Sequence, residues 1–178
     1  MPPGTVWDVV KSRRVVRRFA DRPLDQAHLE RILQAGRRAN SSKNQQRWAF
    51  IVCRDRAHLG ELAAVGPWAG HLAGAAVGIA LVTPDPARAS APLSVMFDLG
   101  MAADSMMLEA WELGIGSVPA TVYEHDLARK LLGYPEDHHC EFILSFGYPA
   151  DASDLTRSLR AGGRRPLDEI VHEERWGS

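Results

Sequence analysis

The densest group of chemically active side chains is an arginine run at residues 12–19, in which four arginines fall within six positions. Guanidinium groups stay charged and bind phosphate oxygens through two parallel hydrogen bonds. Such a charge run is also typical of a solvated helix end. Val15, Val16 and Phe19 lie among the arginines and favour a partly buried segment. The run is therefore a candidate anion site.

Two further segments offer groups for a polar ligand. Residues 40–46 are seven consecutive polar residues, whose amides and hydroxyls can donate and accept hydrogen bonds, although an ordinary surface loop has the same composition. Arg164 and Arg165 form a basic pair after two glycines. With the arginine run, these segments match in chemical type the phosphate, the polyol chain and the ring edge of a flavin mononucleotide (FMN).

The sequence argues against several other kinds of functional site. The sequence Asp-His-His-Cys at 137–140 contains metal-ligating residue types, but adjacent histidines point in different directions on most backbones. Because no second cluster at ligand spacing completes a site, we predict no metal site. Cys53 lies in an apolar strand and is expected to be an inert core thiol. Neither a Gly-x-Ser-x-Gly elbow nor a Walker loop occurs, and no side chain is predicted to be catalytic.

Composition bounds the class of protein. A chain of 178 residues that is 46% hydrophobic and 24% charged is expected to fold as one domain over 1–178. The net charge of −1 argues against a general nucleic-acid binder. The longest apolar run, 72–82, is shorter than the roughly 20 residues that span a bilayer. Two cysteines and no signal-peptide pattern predict a cytoplasmic protein.

The periodicity of apolar residues predicts alternating helices and strands. Helices are predicted at 5–13, 26–38, 56–65, 93–113 and 126–132, and strands at 48–52, 75–82, from 114–119 onward and at 140–146. The helix at 93–113 is apolar nearly all round, which is typical of a helix buried on several sides. We therefore expect it to be central or shared with a second subunit.

Four segments together resemble the FMN-dependent nitroreductase family. They are 13–19 (Arg-Arg-Val-Val-Arg-Arg-Phe), 40–48, 114–119 (Gly-Ile-Gly-Ser-Val-Pro), and 146–149 with 164–169. Their order and spacing cover most of the chain. The resemblance implies an α+β, nitroreductase-like three-layer fold, in which helices flank a mixed central β-sheet. It also implies a homodimer with FMN at the interface.

The resemblance also implies which residues bind the cofactor: Arg13, Arg14, Val15, Arg17, Ser41, Ser42, Asn44, Gln46, Pro119, Ala120, Thr121, Arg164 and Arg165. In that reading Arg13 and the pair 164–165 hold the phosphate, and Arg17 reaches the N1/O2 edge of the ring. Asn44 lies near the ring, and the backbone of 118–122 passes near N5.

The activity implied is an NADH- or NADPH-dependent ping-pong reduction, through flavin N5, of a nitroaromatic, quinone or similar small acceptor. The sequence departs from the family pattern at Val15, where serine is common, and at Thr121-Val122, where Glu-Gly is common. Asn40 and Arg47 stand where prolines are common. Three alternatives stay open: a flavin-dependent dehydrogenase, oxidase or dehalogenase of a small metabolite, a non-catalytic flavin-binding protein, and a plain anion- or nucleic-acid-binding module.

Overall fold

The computed structural model describes residues 5–88, 93–158 and 163–177. Its α-helices are α1 (Val6–Ser12), α2 (Gln26–Arg37), α3 (Arg56–Leu62), α4 (Ser94–Glu112) and α5 (His125–Leu132). Its strands are β1 (Ala49–Cys53), β2 (Val77–Pro84), β3 (Gly116–Thr121) and β4 (His138–Gly147). Short 3₁₀ turns occupy Ser42–Asn44, Ala69–Gly74, Ala152–Leu155 and Leu167–Glu169. All the helices and strands predicted from the sequence are present.

Local side-chain chemistry sets several helix boundaries. Thr5, Asp25 and Asp55 each accept a hydrogen bond from a backbone N–H two or three residues later, which satisfies a donor that the first helical turn leaves free. Gly133 ends α5 with a left-handed φ of 70°, a conformation that glycine adopts without steric cost. The predicted caps at Thr5 and Asp25 and the predicted end at Gly133 are confirmed.

The sheet has the strand order β1-β2-β4-β3, and every pair of neighbouring strands is antiparallel. Within the described ranges, the parallel pairing of the expected mixed sheet is limited to one bridge between Val15 and Ser117. That bridge places the arginine run on the outer side of β3. The run therefore acts as a short fifth strand at the edge of the sheet.

Helices cover both faces of the sheet. On one face, α3, the turn Ala69–Gly74 and α5 pack on residues of all four strands: Cys53, Ala80, Val82, Ala120, Cys140 and Ile143. On the other face, α2 and α4 pack on Val77, Ile79, Leu81, Leu144 and Phe146. The strand β2 is buried along all but its last residue, because it is central and covered on both sides. The predicted three-layer α+β architecture is confirmed.

Helix α4 has an apolar inward face, and large apolar side chains are also exposed at its N-terminal end. Met106 is fully buried against α2 and the sheet. Leu93, just before the helix, and Phe97, in its first turn, expose 79% and 71% of their surface. A subunit that leaves large apolar side chains exposed has a surface suited to a partner. None of the described helices is both long and apolar enough to cross a bilayer.

Candidate cofactor-binding site

The arginine run is an extended segment fixed to the end of the sheet at two points. Val16 donates its backbone N–H to the carbonyl oxygen of Ser117 at 3.0 Å, beside the Val15–Ser117 bridge. Phe19 forms a second bridge, with Pro149. The Val16 side chain is only 2% exposed. The apolar residues of the run therefore act as anchors, and the arginines between them are held at fixed positions.

A pair of glycines makes room for these anchors. Gly116 of β3 and Gly147 of β4 lie opposite each other in the sheet. A Cβ atom on Gly116 would lie 2.6 Å from the Cβ of Val16, and one on Gly147 would lie 2.9 Å from the ring of Phe19. Both distances are too short for carbon atoms in contact. The run can approach the sheet this closely only because both positions lack a side chain.

The side chains of the first two arginines of the run are partly buried, and some of their N–H donors have no hydrogen-bond partner among the described residues. Arg13 donates from Nη2 to Oδ1 of Asp104 at 2.9 Å, and the Arg14 guanidinium lies 5.9 Å from the ring centre of Trp111. The Nε atoms of both arginines are buried, and neither has a hydrogen-bond partner among the described residues. Leaving a buried donor unpaired costs about 1–3 kcal/mol. An anion at this position would supply the missing acceptor.

Arg17 lies on the exposed side of the run and affects a polar pair formed by a half-buried histidine and a buried serine. The Nδ1 of His71 lies 2.8 Å from Oγ of Ser145, a fully buried residue of β4. Burial, and after it the positive charge of Arg17, lower the pKa of His71. The imidazole is therefore favoured in its neutral form. Arg17 thus has an electrostatic effect on a side chain that bonds to the sheet.

The polar loop at 40–46 has an unusual backbone. Lys43, Asn44 and Gln46 have φ angles of 53°, 55° and 48°, in the left-handed region that non-glycine residues seldom occupy. The loop holds this shape with its own side chains, since Gln46 donates its backbone N–H to Ser41 Oγ and its side-chain amide to Asn44 Oδ1, both at 3.0 Å. Backbone strain of this kind is typical of ligand sites.

Helix α4 anchors both the loop and the arginine run. Ser42 donates its backbone N–H to Oδ2 of Asp98 at 2.9 Å, and Asp98 is 6% exposed. Asp104, the partner of Arg13, lies six positions further along α4, which is about 9 Å at 1.5 Å per residue. One rigid helix therefore sets the separation between the hydroxyl- and amide-rich loop and the arginines.

The outer edge of β3 carries the third predicted segment. Because Ser117 turns its carbonyl outward to Val16, the backbone groups of Pro119 and Thr121 face the same edge. No described residue bonds the Pro119 carbonyl or the Thr121 N–H at this edge. Ala120 instead turns its side chain into the core and its backbone toward β4, so it offers no polar group to the edge.

The fourth predicted segment lies apart from the other three. Arg164 and Arg165 belong to a C-terminal arm, residues 163–177, whose residues are all exposed except His172. Arg165 donates from Nε and Nη2 to the side-chain and backbone oxygens of Glu169 at 3.1 and 2.8 Å. The structure does not bring this pair together with Arg13. Its role in holding a phosphate stays a prediction.

Comparison with known proteins identifies the fold and the family. The profile of the nitroreductase family matches residues 10–71 and 61–148, and the two matches overlap and cover most of the chain. The chain belongs to the nitroreductase family. An Archaeoglobus fulgidus protein with the provisional name NADH dehydrogenase/NAD(P)H nitroreductase is 34% identical over 173 residues, 94% of this chain and 97% of the relative.

Other relatives of this nitroreductase-family chain are more distant. An NADPH-flavin oxidoreductase of Vibrio harveyi is 24% identical over 182 residues, 95% of this chain and 73% of its own length. The solved structure of an FMN-dependent nitroreductase from Clostridium difficile, 24% identical, superposes with a TM-score of 0.81 over 94% of this chain and 98% of that one. That superposition shows the shared fold.

Sequence reasoning missed several residues that shape the site of this family member. Asp98 and Asp104 could have been found, because a carboxylate in a largely apolar helix needs a hydrogen-bonding partner. His71 and Ser145 had no such signal, since their pairing depends on the fold. Burial raises the pKa of Cys53 and also that of Cys140, to about 12, so both thiols stay protonated, as expected for Cys53.

Proposed function

We propose that the chain is an FMN-dependent NAD(P)H oxidoreductase that reduces nitroaromatic, quinone or similar small organic acceptors. The observation that carries the proposal is the convergence of three separate segments on α4 and the edge of β3, with the buried Nε atoms of Arg13 and Arg14 unpartnered. The names of the Archaeoglobus and Vibrio relatives support the same class of reaction.

The residues present fit the phosphate end of FMN. Arg13 and Arg14 offer charged donors that are partly buried, where a hydrogen bond to an ionised group contributes about 1.5–3 kcal/mol. Asp104 is already hydrogen-bonded to Arg13 and would hold that guanidinium in place while leaving its Nε free. The arginines would bind the phosphate equally in both redox states of the cofactor, because the phosphate charge does not change.

The residues around the open edge fit the ring end. The Thr121 N–H is a donor that points outward from β3, and Asn44 and Gln46 present side-chain amides on an exposed loop. Arg17 would place a positive charge near the ring, which stabilises negative charge that develops there. When bound, FMN would supply hydride transfer between NAD(P)H and the acceptor, and the protein would supply position and electrostatics.

The proposal includes a homodimer. The exposed apolar side chain of Phe97 borders an open groove whose walls include Arg38, Asn40 and Asp104, and the exposed Leu93 lies four residues before it in the chain. This groove reaches both the polar loop and the partner of Arg13, so a second subunit seated on it would also cover the candidate cofactor site. Leu167 and Trp176 of the C-terminal arm are 72% and 92% exposed, and the arm would pack on the partner.

The test is a flavin analysis followed by an anaerobic titration. We expect the purified protein to be yellow, with about one FMN per chain, and to be bleached by NADH or NADPH. Steady-state rates with a quinone or nitroaromatic should then give the parallel reciprocal plots of a ping-pong reaction. A yellow protein that neither nucleotide bleaches would favour the non-catalytic flavin-binding alternative, and a colourless protein that binds no FMN would contradict the proposal.

A matched pair of variants tests the phosphate assignment. Arg13→Ala should weaken FMN binding while leaving riboflavin binding unchanged, because riboflavin lacks the phosphate. Arg18→Ala is the control, since Arg18 lies in the same run but is exposed and makes no side-chain hydrogen bond in the described chain. Equal affinity of the unaltered protein for FMN and riboflavin would count against any phosphate site in the run.

A further inference from the structure

We propose that His125, His139 and Glu141 form a binding site for a zinc ion, separate from the candidate cofactor site. One ligand atom from each residue can be chosen so that all three lie within 4.8 Å of one another, and all three side chains are half-buried. The site joins the first turn of α5 to the early part of β4. None of the residues proposed to hold FMN belongs to it.

Strand geometry brings two of the ligands together. His139 and Glu141 are two residues apart on β4, and the register of β4 with β2 shifts at Glu141, which forms a β-bulge. The Nε2 of His139 lies 2.8 Å from Oε2 of Glu141. His138 and Cys140 alternate with them: His138 pairs with Asp137 at 2.7 Å, and Cys140 is fully buried. The Asp-His-His-Cys motif is thus split between two faces and does not itself form a site.

The third ligand arrives from α5. His125 is the first residue of that helix, and its ring centre lies 4.7 Å from that of His139. Its Nε2 is 4.0 Å from Oε2 of Glu141. The backbone N–H of Val122 donates to the carbonyl oxygen of Glu141 at 2.9 Å, which fixes the strand-to-helix connection beside the site. No sequence pattern indicates this ligand, because its position depends on how the connection folds.

The distances suit a tetrahedral ion. Nitrogen and oxygen ligands about 2.0–2.2 Å from zinc in a tetrahedral arrangement lie about 3.3 Å from each other. The observed separations of 2.8 and 4.0 Å bracket that value. The Nε2 of His125 is 4.0 Å from Oε2 of Glu141, which is beyond hydrogen-bond distance, so the protein groups alone do not close this cluster. Small side-chain rotations would close the cluster around an ion.

The donor set favours zinc over the hard cations. Two imidazoles and one carboxylate are typical zinc ligands, and a water would complete four-coordination. Calcium and magnesium prefer sites made of oxygen atoms. Because the three ligands come from two elements that are joined by a short connection, the expected role is to stabilise the packing of α5 on the sheet.

The experiment measures Zn²⁺ binding to the flavin-containing protein after treatment with a chelator. Isothermal titration should show one Zn²⁺ per chain, and added Zn²⁺ should raise the thermal midpoint. His125→Ala and His139→Ala should each weaken binding by more than the about 10–100-fold that loss of an outer-shell partner costs. His138→Ala is the matched control, because that adjacent histidine points away, and it should bind Zn²⁺ as the unaltered protein does.

Glu141→Gln keeps the shape of the side chain and removes the charge, so it tests the site if an alanine variant fails to fold. It should weaken binding at least about tenfold while circular dichroism stays unchanged. The proposal is overturned if the unaltered protein binds no Zn²⁺ at one per chain. It is also overturned if the two alanine variants and Glu141→Gln bind Zn²⁺ as tightly as the His138→Ala control.

Discussion

The chain carries two arginine-rich segments that its family resemblance assigns to the same phosphate, and the fold treats them differently. The arginine run is fixed by two bridges to the sheet and by the Arg13–Asp104 ion pair. The C-terminal arm is exposed except at His172, and among the described residues the side chain of Arg165 bonds to Glu169 of the same arm. If both segments hold the phosphate as proposed, the arginine run would bring its half of the site from the folded core. The arm would need a further surface, which in the proposed homodimer is the partner.

The largest effect on stability is expected where the arginine run meets the sheet. Gly116→Val would place a branched side chain where a single Cβ already lies 2.6 Å from Val16. Overpacking a filled site costs about 1–3 kcal/mol, and we expect the upper end, because the added Val would meet Val16 at its branching Cβ atom. Urea denaturation should show the loss of stability, and flavin content should fall with it.

Gly60→Ala is the control for that substitution. A Cβ on Gly60 would meet nothing within 4 Å, and Gly60 lies in α3. Replacing a helical glycine by alanine should stabilise the chain by about 0.5–1 kcal/mol. If Gly116→Val unfolds at the same urea concentration as the unaltered protein, the run is not anchored by its contact with the paired glycines.

The second prediction assigns different roles to two arginines of the arginine run. Arg13→Ala should weaken oxidised and reduced FMN alike and leave the bound potential nearly unchanged. Arg17→Ala should weaken chiefly the reduced form, because negative charge on the ring grows on reduction. Loss of a charge-assisted bond of about 1.5–3 kcal/mol from one redox state lowers a two-electron potential by roughly 30–65 mV.

A dye-coupled redox titration of the unaltered protein and both variants measures this difference. A potential that moves in Arg13→Ala and stays fixed in Arg17→Ala would mean that the cofactor lies along the run in the opposite direction.

The third prediction tests the arm. Trp176 is 92% exposed in the subunit, and if it packs on the partner, Trp176→Ser should weaken dimerisation about tenfold or more, as loss of a buried interface tryptophan does. Trp68→Ser is the matched control, since Trp68 is 78% exposed but lies in the body of the subunit. Sedimentation equilibrium measures both. Equal dissociation constants for the two variants would argue that the arm plays no part in the interface.

The smallest expected effect concerns pH. The pKa of His71 is lowered below its ordinary 6.5, so protons bind the unfolded chain more readily than the folded one. The contribution of His71 to the free energy of unfolding should therefore be complete above pH 6.5. It should fall as the pH drops from 6.5 toward the folded pKa. His71→Gln should flatten that part of the curve, measured by urea denaturation above and below pH 6.5.

A nuclear magnetic resonance titration of the His71 ring gives an independent check. Arg17→Ala should raise the pKa of His71, because the neighbouring positive charge is one cause of the shift. A folded pKa at or above 6.5 in the unaltered protein would contradict the assignment.

The sequence alone predicted those features that depend on residues close to one another in the chain. Caps at Thr5 and Asp25 and the long apolar helix were found because each signal lies within one or two helical turns. Periodicity did not distinguish the buried apolar residues of α4 from the exposed ones, since Met106 packs inward while Phe97 is exposed. It therefore predicted a helix that is central or shared with a second subunit, without identifying which residues a partner would contact.

Features that depend on distant parts of the chain were not predictable in this way. The pairing of Gly116 with Gly147, and the seating of Val16 and Phe19 on them, needs the register of β3 on β4 and the path of the run. The bond from Ser42 to Asp98 likewise joins a loop to a helix that follows it by two strands. Family resemblance brought these segments into one site, but it could not supply the contacts that hold them.

The proline at 119 has a consequence for solubility. An outer strand with a row of free N–H groups can recruit a strand of another molecule and begin an aggregate. Proline has no N–H to offer, and it is tolerated at this position because no described strand pairs with the outer side of β3 beyond the bridge at Ser117. The stretch of β3 beyond the arginine run therefore stays open to a small ligand while being a poor template for another polypeptide.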